Sequence, residues 1–173
     1  MRKLIERLDL EGRLRRENMH RYLLQCTLAG LVVLVLLLIL DAVTQTVLIA
    51  ALGASTFIAF AVPRSLHSDP RYMIGGYLVG ILVGCLMGTL NVALHVSDAV
   101  AAHAVMVVFG ALATGLAMFI MVVTKTEHPP AAALALGLVL NEWNLLTLVV
   151  VIAGVVALSI CKRLVLPVLM DLL

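Results

Sequence analysis

Two short stretches hold the residue types from which a polar solute site could be built. The first is Gly53-Ala54-Ser55-Thr56, two hydroxyls beside two small residues. The second is His128-Pro129-Pro130. Paired prolines suit the first turn of a helix, because Pro donates no N–H and its fixed φ fits that turn. The other amides of such a turn, at the positive end of the helix dipole, favour an anion. Ser55, Thr56 and a His128 ring that can become cationic near neutral pH would add donors. Neither stretch contains Asp or Glu. A small anion or neutral polar molecule therefore fits better than a metal cation, and neither metal nor cofactor is expected. Plainer roles compete: His128 could cap a helix, the hydroxyls could bond back to their own helix, and Gly53 could serve packing. Ser55 and His128 could in principle pair as nucleophile and base. No third group is evident to orient the His, so no enzyme is expected.

The elements that must position these residues follow from composition. The 173 residues are 63 % apolar and 13 % charged, with a mean hydropathy of +1.14. Soluble domains run near 45–50 % apolar and about 25 % charged. Runs without a charged side chain cover 22–40, 42–63, 72–97, 99–124, 128–141 and 143–161. A bilayer crossing needs about 17–25 such residues, which only the fifth run lacks. A soluble enzyme, a nucleic-acid-binding domain and a disordered chain are excluded. The expectation is an all-α membrane helix bundle of six crossings: an interfacial amphipathic helix over 1–21, one transmembrane domain over 22–163 and a short tail over 164–173. With alternating crossings, all twelve Lys and Arg residues fall on one side. Basic residues are retained on the cytoplasmic side, so both termini are expected inside, in a bacterial inner membrane. Arg64, Arg71 and Lys125 would then attract anions at the inner mouth.

The fifth run is short. A helix from Pro129 to Asn141 is about 20 Å long, some 10 Å less than the hydrocarbon layer. If Asn141 reaches the outer surface, His128 must start inside the membrane, with the preceding residues dipping in as non-helical backbone. Such backbone is tolerated only where protein or a water-filled cavity covers it. The second and fifth runs are the unusual members of two successive triplets, which predicts a 3+3 inverted repeat with a site near mid-membrane where they meet. Gly76, Gly80, Gly84 and Gly88 recur every four residues in the third run. That stripe lets another backbone approach closely. The small-residue fourth run is a plausible partner, and the stripe could equally take a second subunit. The partners expected are the lipid bilayer, a small anionic solute and another copy of the chain, most simply as a dimer, with no nucleic acid. Cys26, Cys85 and Cys161 are expected as free thiols. A structural or partner-binding membrane subunit is the alternative function.

At these residues the chain resembles the HPP family of integral membrane proteins. The matching pieces are Gly53-Ala54-Ser55, Phe60, Pro63, Asp69-Pro70-Arg71 and Gly75-Gly76, then Thr124, Thr126 and His128-Pro129-Pro130-Ala131. The chain departs from the family pattern at Tyr77, where a His often stands, and at Ala132, where a Gly often stands. The resemblance implies a small multi-span protein and adds Thr124, Thr126 and Ala131 to the candidate site residues. Plant chloroplast members are implicated in nitrite transport, which makes nitrite the expected solute.

Overall fold

The computed structural model describes residues 19–40 and 46–172. The expected surface helix over 1–21 and Asp41 fall largely or wholly outside these residues. Six helices are described and no strand: α1 (Met19–Leu40), α2 (Thr46–Ala61), α3 (Pro70–Ala93), α4 (Ala99–Thr124), α5 (Pro129–Leu140) and α6 (Leu145–Val165). Of these, α3, α4 and α6 are long and apolar enough to cross a membrane. The local chemistry explains the boundaries. Pro63 follows the end of α2, and Pro70 opens α3. Asp98 accepts the Ala101 amide at 2.7 Å to start α4, and Lys125 ends it in the left-handed region at φ 54°. Pro129 and Pro130 open α5. Asn144 and Thr147 form a reciprocal capping box at the start of α6, which satisfies otherwise orphaned amides.

The shortest helix is the best buried. Pro130, Ala131, Ala132, Leu134, Ala135, Gly137, Leu138 and Val139 of α5 are withdrawn from the surface, and α5 packs against α2, α3 and α4. The glycine stripe of α3 receives it. A Cβ on Gly80 would overlap the Ala131 carbonyl oxygen, one on Gly84 would lie 2.9 Å from the Ala135 oxygen, and one on Gly88 would lie 2.9 Å from the Leu138 oxygen. Gly76 sits against His128 Cβ. The partner of the stripe is thus α5 of the same chain. The fourth helix also packs on α3, but Gly110 is where α4 admits α5, against Leu136. Only a residue without a side chain allows such backbone approach. By contrast, Gly53 has open space where a Cβ would stand. Cys26, Cys85 and Cys161 are free thiols.

One pole of the bundle is tied together by polar contacts. It gathers the α2–α3 loop, the turn at 125–128, the start of α1, the end of α6 and the tail. Gln25 donates to the carbonyls of Phe60 at 2.9 Å and Met170 at 2.8 Å. The Leu172 amide donates to the Ala61 carbonyl at 2.8 Å. The residues after α6 therefore fold back onto the bundle.

Candidate functional site

Ser55 lies on α2, six residues before its end at Ala61. His128 precedes α5 and packs on Gly76, six residues into α3. Each is about 9 Å in from the polar pole, at 1.5 Å per residue. The two side chains meet directly: Ser55 Oγ is 2.7 Å from His128 Nε2. His128 Nδ1–H donates to the His67 carbonyl at 3.0 Å, since a carbonyl can only accept. In the neutral ring Nε2 is then the acceptor, so Ser55 donates to it. Tyr77 Oη lies 2.9 Å from Ser55 Oγ and, with the serine hydrogen committed, supplies its own. A single directed chain results: Tyr77 to Ser55 to His128 to His67. All three side chains are at most 1 % exposed.

The α2–α3 loop holds this cluster from outside. Besides its carbonyl, His67 uses Nδ1–H to donate to the Glu127 carbonyl at 2.8 Å, so loop and turn are joined twice. Lys162, 2 % exposed, donates to the Ser68 carbonyl at 2.7 Å and the Ser68 hydroxyl at 2.9 Å. A buried ammonium needs such partners. Arg64 donates to the Leu169 carbonyl at 3.1 Å and stands 4.0 Å from Asp171.

The sequence candidates divide accordingly. Ser55 and His128 are in contact, and Pro130 and Ala131 are buried behind them. Thr56 is buried but bonds back to Leu52 at 2.9 Å. Thr126 packs on Gly75 and bonds Thr124 at 2.8 Å. Ala54, Pro129, Thr124, Arg71 and Lys125 are exposed. Arg64 is engaged by the tail. The first turn of α5 differs from expectation. Pro129 and Pro130 have no N–H, and the Ala131 amide is taken by the His128 carbonyl at 2.9 Å. No row of free amides remains to meet an anion, so the donors of the cluster are side chains. Sequence reasoning missed Tyr77 as a partner, and also His67, Ser68, Lys162 and Gln25. Tyr77 was visible as a phenol on the glycine-lined helix, directly after Gly76.

Two grooves lie at opposite ends of α5. One of ≈ 280 Å³ reaches His128 between Met118, Met121, Val122, Glu127, Pro129 and Ala132. The other, ≈ 670 Å³, lies at the far end and includes Asn91, Met106, Leu138, Asn141, Glu142 and Trp143. No group of three or more His, Cys, Asp or Glu suited to a metal ion occurs among the described residues.

The family described as HPP, transmembrane region, matches residues 15–169. No curated protein and no solved structure matches the chain. The match takes in every described helix, and the chain belongs to the HPP transmembrane family of integral membrane proteins.

Proposed function

We propose that this protein carries a small anion across the membrane, with nitrite the solute suggested by the family resemblance, and that Ser55, Tyr77 and His128 form its site. The observation that carries this reading is the polar chain of these three residues, buried inside an apolar bundle beside the groove that His128 helps to line. Ionisable groups inside a membrane protein are expensive and mark solute or proton paths. The cluster is buried in the conformation described, so a solute reaches it only when the bundle opens. The reading includes six crossings as a 3+3 inverted pair, with the basic pole in the cytoplasm of a bacterial cell and assembly as a homodimer. The contact between α2 and α5, each second in its triplet, supports the pairing. Flux of nitrite, nitrate or formate into proteoliposomes tests it. Flux above that of empty liposomes is expected; its absence with folded protein overturns the proposal.

One observation favours a second reading, acyl transfer within the membrane. Ser55 Oγ and His128 Nε2 are at nucleophile–base distance, and the His67 carbonyl orients the ring. Against it, Ser55 lines neither groove. Labelling by a serine-directed fluorophosphonate, abolished by Ser55→Ala, would establish it; no labelling of folded protein would remove it.

A further inference from the structure

The Ser55 hydroxyl has one hydrogen and two acceptors within reach: His128 Nε2 at 2.7 Å and the Ala51 carbonyl at 3.1 Å. While the ring is neutral, Nε2 takes that hydrogen. When a proton is added to Nε2, the pair must reverse. Nε2–H then donates to Ser55 Oγ, and the hydroxyl turns to Ala51. One N–H bond forms, the ring gains one positive charge, and no heavy atom has to move. The groove at the α4–α5 junction is lined in part by His128 and is the side from which a proton would arrive.

Among the described residues that charge has no ion-pair partner within 4.0 Å. The ionisable groups facing His128 are Tyr77 of α3, His67 of the α2–α3 loop and Glu127 beside it in the turn. From α2 comes Ser55, and from α4 Met121 and its apolar neighbours. Lys162 of α6 stands behind Ser68 and is itself a cation. Among the described residues the ion pairs are Arg64 with Asp171 and Lys162 with Asp69, so no carboxylate comes within 4.0 Å of the imidazole. A buried imidazolium is costly unless a countercharge accompanies it. An anion entering the site is such a countercharge. By linkage, the anion must raise the affinity for the proton by the factor by which the proton raises the affinity for the anion.

We propose that the Ser55–His128 pair is loaded with a proton together with the anion, which makes the protein an electroneutral anion–proton symporter. This rests on the transport reading above. The test uses the full chain in liposomes loaded with the pH dye pyranine, with nitrite as probe and the leak of empty liposomes subtracted. Initial rates should show about one proton entering per nitrite, with uptake accelerated about fivefold by an inward proton gradient. A potassium diffusion potential should leave the rate unchanged. Protein-dependent nitrite uptake that leaves luminal pH constant and follows the imposed potential overturns coupling while transport stands. No protein-dependent uptake removes both. His128→Gln, which keeps a polar side chain but cannot be protonated, should abolish proton entry; proton entry that survives it overturns the assignment to His128.

Discussion

The two ends of α5 are built from different materials. At its start, His128 is gripped by Ser55 from α2 and by the His67 carbonyl of the α2–α3 loop, and Lys162 secures that loop from α6. At its end, Asn141 merely folds back on its own helix, with amide and side chain both donating to the Gly137 carbonyl, beside the larger groove. Between the ends, contact with α3 is backbone on backbone. The difference separates two tasks. Close packing along the glycine stripe fixes where the helix lies, and directional bonds tie its start to α2 and to the α2–α3 loop. A conformational change can break the second without undoing the first.

The packing should be the harder to tolerate losing. Gly80→Leu drives a side chain into the Ala131 carbonyl and should cost about 3 kcal/mol of stability, since overpacking without room to relax is destabilising. Gly115→Leu, in open space on α4, should stay within about 1 kcal/mol of the parent. Equilibrium unfolding in mixed micelles compares them; equal losses would mean the stripe is not a tight interface. Next in size, His128→Ala should lower protein-dependent nitrite flux about tenfold or more, the scale of one buried polar partner left unmatched. Asn141→Ala at the opposite end should change flux less than about twofold, because an exposed bond within one helix contributes little. Equal effects on flux would erase the distinction between the ends.

Lys162→Met tests whether the loop is held from α6. Charge-assisted bonds contribute about 1.5–3 kcal/mol, so hydrogen exchange of amides across 65–69 should quicken at least tenfold, with those across 141–148 unchanged. The smallest effect belongs to Asp171→Ala. Its ion pair with the Arg64 guanidinium is long, its other oxygen accepts the exposed Arg64 amide at 3.1 Å, and both side chains are about half exposed; such surface contacts contribute less than about 1 kcal/mol. A loss above about 2 kcal/mol in the unfolding midpoint analysis would show that the tail is a structural clamp.

Much of the fold was legible in the chain because its punctuation is local. Pro63, Pro70, Asp98, the paired prolines and Asn144 each act within one helical turn, and the helices begin or end beside them. The short fifth helix was legible from length alone. Meeting of Ser55 with His128 was inferred from the symmetry of two triplets, not from any local signal. The rest depended on contacts that composition does not encode. Lys162 reads as one more basic anchor beside Arg163, yet it turns inward to Ser68, 94 residues away. Gln25 sits in a run of leucines and gives no sign that its amide bridges residues 60 and 170. The paired prolines misled in one respect. They announced a helix start correctly, but a start made of prolines has few amides left to offer a ligand.

The burial of so short a helix has a consequence for how the protein fits its bilayer. Lipid meets α3, α4 and α6, with 24, 26 and 21 residues; these are about 36, 39 and 32 Å long and match the hydrocarbon layer with modest tilt. Along α5 the two grooves come nearest at Ala132 and Leu138, about 9 Å apart along the helix axis. These long helices suit the lipid around them, while on the proposed transport reading a crossing solute would face a dehydrated stretch only about a third as thick as the surrounding hydrocarbon layer.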